Sequence, residues 1–204
     1  MSILNYFSKD PDKRAGFIFD LIAPVYGLVD GVLESSYRSS IHLLNAEIDL
    51  NNISVLDIGT GTGAWAAMFL KQNNSVQGID FSQKMLAVSV KKHPGINFSI
   101  GNAEDLSEIA DNSFDLVTAS YVIHGVTADK RVKILSEMKR VSKKHVVIHD
   151  FAGRTPLFTR FLEFMERSDY KNFKKNFCKE LQTMFPETKK IRSVQGSGLY
   201  LATK

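Results

Sequence analysis

The stretch SVLDIGTGTGAWAAMFLKQ, Ser54 to Gln72, decides the fold. Its first five residues are an apolar run of strand length, the next five carry Gly59, Gly61 and Gly63, and the remainder has helical apolar spacing. A strand that enters a helix through a glycine-rich turn is the opening unit of an α/β sheet. The glycines let the backbone turn tightly and let a ligand come close, because no Cβ stands in the way.

The same alternation continues downstream. SVQGID (Ser75 to Asp80) reads as a strand before a helix over Ser82 to Lys92. INFSI (Ile96 to Ile100) follows, FDLVTAS (Phe114 to Ser120) leads to a helix near Asp129 to Val141, and HVVIHD (His145 to Asp150) makes a fifth strand. Strands alternating with helices pair in parallel through right-handed crossovers, with helices on both faces. The expected core is a doubly wound, Rossmann-like α/β sheet.

Both flanks read as helical. Upstream, Asp10-Pro11 forms a helix start, Ile18, Leu21, Ile22 and Val25 share one stripe, and Tyr37, Ile41, Leu44 and Ile48 share another. Downstream, Leu157, Phe161, Leu162 and Met165 form one stripe and Phe173, Phe177, Leu181 and Met184 a second. The chain closes on KKIRSV, a glycine turn at Gln195 to Gly198, and LYLAT, a terminal hairpin. With no linker or repeat, residues 1–204 read as one domain: a helical cap over 1–50, a cofactor-binding core over 51–150, and a helical cover with the hairpin over 151–204.

Composition narrows the function classes. Cys178 is the only cysteine, which removes an internal disulfide and any multi-cysteine zinc site; no metal is expected. The lack of an apolar run of membrane-spanning length and of a secretory leader suggests a cytoplasmic protein. Net charge is +4, but Lys130 to Arg192 holds 17 basic and 7 acidic residues, so that part carries +10 and the rest −6. Such a basic surface is compatible with an anionic ligand, peripheral membrane contact or nucleic acid, although helix solvation alone accounts for it.

The candidate cofactor site starts from the loop. Asp80 ends the second strand, 21 residues after Gly59, where a carboxylate accepts the hydroxyl hydrogen bonds of a ribose. A ribose and a glycine loop fit a nicotinamide dinucleotide or S-adenosylmethionine equally, and Asp57 separates them. A dinucleotide would bring its anionic pyrophosphate beside that carboxylate, whereas S-adenosylmethionine has no phosphate and carries an ammonium and a sulfonium. Ala64, in place of the last glycine of the dinucleotide fingerprint, agrees.

On these residues, and on FDLIAPVYG (Phe19 to Gly27), GIDFSQKML (Gly78 to Leu86), GNAEDL (Gly101 to Leu106) and NSFDLVTASYVIHGV (Asn112 to Val126), the chain resembles the class I S-adenosylmethionine-dependent methyltransferases. Within them it is similar to the small-molecule branch of the methyltransferase type 11 and ubiquinone/menaquinone-biosynthesis families. The resemblance implies a seven-stranded sheet with an antiparallel last strand and S-adenosylmethionine as cofactor, leaving as S-adenosylhomocysteine. It implies that Asp57 helps hold the methionine ammonium, that Gly59, Thr60, Gly61 and Gly63 lie beside methionine and ribose, and that Asp80 binds the ribose. Phe81 and Met85 would flank the adenine, Asn102, Ala103 and Glu104 would meet its polar edge, and Ser120 and Tyr26 would approach the methionine end. Gly27, Gly125 and the missing Pro-Gly-Gly turn before the fifth strand depart from the family pattern.

Methyl transfer needs alignment, exclusion of water and, for a hydroxyl or acidic carbon, a base. His124 and His149 both follow strands at the carboxyl edge, and His124 is the catalytic candidate. Ser120-Tyr121-Val122-Ile123 lacks the Asn/Asp-Pro-Pro-Tyr/Phe signature of nucleobase amine methylases, so nucleic acid is disfavoured. The expectation is transfer to an O- or C-nucleophile of a small apolar or aromatic acceptor. The alternatives are a non-catalytic S-adenosylmethionine-binding regulatory or RNA-associated protein and a nicotinamide oxidoreductase. Oligomeric state is not legible.

Overall fold

The computed structural model describes residues 17, 21, 31, 33–153, 169–193 and 196–204. A helix over 33–45 (α1) precedes β1 (Ser54–Ile58), α2 (Ala66–Leu70), β2 (Ser75–Asp80), α3 (Gln83–Lys92), β3 (Asn97–Ile100) and β4 (Phe114–Ser120). A 3-10 turn (Ile123–Gly125), α4 (Ala128–Val141), β5 (Ser142–Phe151), α5 (Tyr170–Met184), β6 (Glu187–Arg192) and β7 (Ser197–Thr203) complete the described elements. The stripes expected at Ile18 to Val25 and Leu157 to Met165 lie, but for Leu21, outside the described residues.

The seven strands form one sheet in the order β3-β2-β1-β4-β5-β7-β6. β1 to β5 pair in parallel, and β7 runs antiparallel to both β5 and β6. The doubly wound sheet and the antiparallel last strand are therefore as the sequence implied. Strand order reverses beside β1, where β2 lies on one side and β4 on the other, and that crevice at the strands' carboxyl ends is where such sheets bind ligands.

Period-two alternation sends side chains to two cores. Leu56, Val117, Val146 and Ile148 meet Leu135 and Met138 of α4 and Phe173, Phe177 and Leu181 of α5 on one face. Val55, Leu116, Val147 and Leu199 meet Tyr37, Ile41 and Leu44 of α1 with Trp65 and Phe69 on the other. Buried Arg131 ties α4 to α5, donating to Glu180 Oε2 at 2.7 Å, Asp169 Oδ2 at 2.9 Å and the Val126 carbonyl at 2.6 Å. Buried Ser36 and Ser40 of α1 pair with Ser197 and Ser193, fastening α1 to the start of β7 and the end of β6. β5 begins three residues before the expected His145. With no proline or glycine break after α4, Ser142 both caps the helix and opens the strand.

Candidate active site

At the carboxyl end of β1 the chain turns through Gly59, Gly61 and Gly63, all at positive φ. A Cβ on Gly59 would lie 2.5 Å from Val122 Cγ2, so close packing demands glycine there, whereas a Cβ on Gly61 would enter open space. Gly61 thus faces the crevice with bare backbone. Thr60 Oγ1 donates to Asp57 Oδ2 at 2.7 Å, and the Thr60 amide returns to the Ile79 carbonyl at 2.9 Å, binding the loop to β2.

Asp80 ends β2 almost buried, with Oδ2 accepting from the Gly61 amide and Oδ1 from the Ser82 amide, each at 2.8 Å. A carboxylate at a strand end is the kind of group that accepts ribose hydroxyls. Asp57 is 1% exposed, and its Oδ1 has no hydrogen-bond partner among the described residues. Burial pushes its carboxyl up to about 7, the Thr60 hydrogen bond opposing and nearby Asp80 adding to the rise. A buried carboxylate oxygen without a donor, beside bare backbone and a second carboxylate, suits a cationic ligand that also carries hydroxyls.

The other expected residues fall around this cradle. Phe81 is half exposed and Met85 buried, the Met85 amide capped by the Ser82 hydroxyl at 3.2 Å. At the end of β3 the Gly101 amide bonds the Asp80 carbonyl, Asn102 Oδ1 accepts from the Glu104 amide at 3.0 Å, and Ala103 packs on the core. Glu104 pairs with Lys130 at 2.9 Å, so its carboxylate is turned toward α4. Tyr26 lies outside the described residues.

Beyond β4 the site is built from rings. Tyr121 follows Ser120 at φ 55, a left-handed conformation rare for a bulky residue and a mark of functional sites. His149 stacks on Trp65 at 4.8 Å between centroids and meets Tyr37 and Tyr121 edge-on at 5.3 and 5.0 Å. Its Nδ1 lies 3.0 Å from Ser120 Oγ, and burial lowers its pKa to about 4, so it is neutral at pH 7. His124 meets Phe151 at 4.8 Å and Tyr170 at 6.4 Å, and Phe151 meets Tyr121 and Tyr170 at 5.1 and 5.2 Å.

Several of these residues escaped sequence reasoning. Tyr37 read as one member of a packing stripe, Trp65 as a helix residue, and Phe151 and Tyr170 as members of an aromatic-rich tail. The available signal was Asp150, a third aspartate at a strand's carboxyl end beside Asp57 and Asp80. Phe173, Phe177 and Phe185 are core. Among the described residues no helix is long and apolar enough to cross a membrane.

A glycine cradle between two strand-end aspartates, on a parallel sheet closed by an antiparallel β7, defines a Rossmann-like, cofactor-binding fold. The family model for a methyltransferase domain matches residues 55–145. The chain is 34% identical over 166 residues to a demethylmenaquinone methyltransferase of Renibacterium salmoninarum, covering 78% of this chain and 68% of that protein. With the demethylmenaquinone methyltransferase of Paenarthrobacter aurescens it shares 35% identity over 71% of this chain but only 57% of the relative's length. In fold it matches a possible histamine N-methyltransferase of Thermotoga maritima, with TM-score 0.69 and 20% identity over 92% and 99% of the two chains. It also matches the magnesium protoporphyrin IX methyltransferase of Synechocystis PCC 6803, solved with bound S-adenosylhomocysteine, with TM-score 0.64 and 17% identity over 84% and 83%. The chain belongs to the class I S-adenosylmethionine-dependent methyltransferases. Its cofactor is S-adenosylmethionine, and nothing in these likenesses favours the non-catalytic alternative.

Proposed function

We propose that the protein methylates a small, ring-hydroxylated aromatic acceptor at oxygen or at the carbon beside that hydroxyl. The observation that carries this reading is the Asp57–Gly61–Asp80 cradle together with the cluster of contacting rings, Tyr121, His124, Phe151 and Tyr170, beyond the ends of β4 and β5. The faces and edges of such a cluster favour an aromatic neighbour. The relatives named for demethylmenaquinone support the same class. A quinone is itself electron-poor, so the nucleophilic partner is its reduced, hydroxyl-bearing form.

When bound, S-adenosylmethionine supplies an electrophilic methyl carbon, and the electron pair of the broken bond stays on sulfur. The chain's own residues hold and orient. Asp57 Oδ1 accepts from the ligand ammonium, Asp80 from the ribose hydroxyls, and the bare backbone of Gly59 to Gly63 lets the ligand lie close. Thr60 fixes Asp57; Phe81 and Met85 bracket the adenine; Asn102, Ala103 and Glu104 border its far edge. Ser120 and Tyr26 would serve the methionine end. His124 takes the proton that the acceptor gives up as its new bond to the methyl carbon forms, and the proton then passes to solvent.

Within this reading residues 1–204 act as one domain, with 1–50 and 151–204 covering the acceptor. The exposed lysines of α5, Lys171, Lys175 and Lys179, support contact with an anionic surface when the acceptor is lipid-bound. The test is calorimetric titration with S-adenosylmethionine and S-adenosylhomocysteine, with NAD as control, followed by assay of S-adenosylhomocysteine release with reduced demethylmenaquinone. Binding of both sulfur ligands and acceptor-dependent release support the reading. Binding without release under reducing conditions removes this acceptor, and absence of binding removes the cofactor assignment for the isolated chain.

A further inference from the structure

The two aspartates of the cradle can only accept hydrogen bonds, so they serve an ammonium and hydroxyls but not the carboxylate that the methionine portion also carries. That group needs a donor. Ile58 pairs with Ala119 across β1 and β4, which brings Ser120 beside Gly59 at the edge of the cradle. Ser120 is half-buried, so its hydroxyl has a way out, whereas the residue behind it has none.

That residue is His149, which stands opposite Ser120 in the β4–β5 register and is wholly buried. Its Nδ1 lies 3.0 Å from Ser120 Oγ, and its Nε2 has no hydrogen-bond partner among the described residues. The difference between the two nitrogens selects a tautomer. With the proton on Nε2, a buried N–H is orphaned, which protein interiors rarely tolerate. With the proton on Nδ1, the N–H is satisfied by Ser120 Oγ and only a lone pair is left bare. An Nδ1–H donor in turn occupies an acceptor position of Ser120 and leaves the single serine proton to be given elsewhere. Tyr37 Oη, at 3.4 Å, is a poor taker for it, since hydroxyl hydrogen bonds are usually about 2.8 Å long.

We propose that His149 is a positioning residue for the cofactor: by donating from Nδ1 to Ser120 Oγ it turns the Ser120 proton outward, toward the carboxylate of the methionine portion. Two donors in series polarise one another, so the serine gives a stronger hydrogen bond than a lone hydroxyl does. No proton changes hands, and burial keeps the imidazole uncharged at pH 7. The stack on Trp65 and the edges of Tyr37 and Tyr121 hold the ring in this orientation. The binding consequence rests on the placement of the methionine portion proposed above, whereas the tautomer is a property of the protein alone.

The test has two arms. In the first, NMR of ¹³C,¹⁵N-labelled protein, assigned from backbone to ring, reads the His149 tautomer without any ligand. Nδ1–H is expected, and Nε2–H overturns the proposal whether or not any variant folds. The second arm is calorimetry with S-adenosylhomocysteine and with its decarboxylated analogue, which keeps the ammonium and lacks only the carboxylate. Ser120→Ala and His149→Leu should each weaken S-adenosylhomocysteine by about threefold to tenfold and the analogue by less than about twofold. His149→Asn, whose amide can donate from near the Nδ1 position, should stay within about twofold of wild type for both ligands, and the Ser120→Ala/His149→Leu pair should lose no more than the worse single variant. Equal losses for the two ligands, additive losses, or His149→Asn as weak as His149→Leu overturn the proposal. A wild type that binds neither ligand removes the cofactor reading and the role of His149 with it. A wild type that binds both equally leaves the cofactor reading standing and overturns the role of His149 alone.

Discussion

The two halves of the site are made in different ways. On the β1–β2 side, ligand-facing groups are fixed by near neighbours and by backbone amides: Thr60 to Asp57 across three residues, Ser82 to Asp80 across two, Gly61 to Asp80 across nineteen. On the β4–β5 side, rings from α1, the loop before α2, the ends of two strands and α5 converge, and Ser120 reaches Tyr37 across 83 residues. The first half is local and built for a constant ligand. The second depends on how distant elements pack.

The largest expected effect strikes the local half. Asp80→Ala removes the carboxylate that organises Gly61 and Ser82, and charge-assisted hydrogen bonds contribute roughly 1.5–3 kcal/mol each. Calorimetry should show S-adenosylhomocysteine affinity falling by about 10²-fold or more. An affinity within tenfold of wild type would break the assignment of Asp80 to the ribose.

A second experiment compares one buried titratable group from each half. Asp57, raised to about 7, binds its proton more tightly folded than unfolded, so its contribution to stability falls as pH rises from about 4 to about 7. His149, lowered to about 4, is protonated more readily unfolded, so its contribution falls as pH drops from about 6.5 to about 4. At one pKa unit per roughly 1.4 kcal/mol, neither exceeds the order of 4 kcal/mol. Denaturant titrations between pH 4 and 7 should show the stability slope become more positive in Asp57→Asn and more negative in His149→Gln. Slopes that move together would show that the two sides are not electrostatically distinct.

Two glycines sharpen the contrast within the loop. Gly59→Ala forces a Cβ against Val122 at positive φ and should lower stability by about 2–3 kcal/mol. Gly61→Ala meets no protein atom, should cost about 1 kcal/mol from its positive φ alone, and should act mainly on ligand affinity. Thermal unfolding with and without S-adenosylhomocysteine separates the two, and equal losses of affinity would count against Gly61 as the ligand-facing position.

The smallest effect is expected at the boundary. Ser120→Ala removes the partner of His149 Nδ1 and a hydroxyl at the methionine end, and should lower stability by about 1 kcal/mol and S-adenosylhomocysteine affinity by about threefold to tenfold. An unchanged affinity would move Ser120 out of the cofactor half.

Much was legible from residues alone because short-range chemistry repeats. Glycines at 59, 61 and 63 and aspartates closing two successive strands declare a loop and a carboxylate pair, whatever the rest of the chain does. His124 was legible as a polar residue after a strand, but its partner was not. Asp150 follows His149 at the end of β5, and the pleat sends the two to opposite faces, one toward Trp65 and Tyr37, the other toward the 3-10 turn. Tyr37 could be read only as apolar spacing, since a helix stripe does not say which strand ends it will cover.

The sequence by itself determined the doubly wound sheet with its terminal hairpin, the glycine turn, and the two aspartates beside it. These depend on backbone freedom, alternation and charge within a few dozen residues. Only the tertiary structure decided that His124 has a buried carboxylate at 2.8 Å and that His149 is neutral against Trp65. It also decided that rings from separate elements converge beyond the ends of β4 and β5. Those outcomes are set by crossover connections and by desolvation, which act between residues that no local pattern brings together.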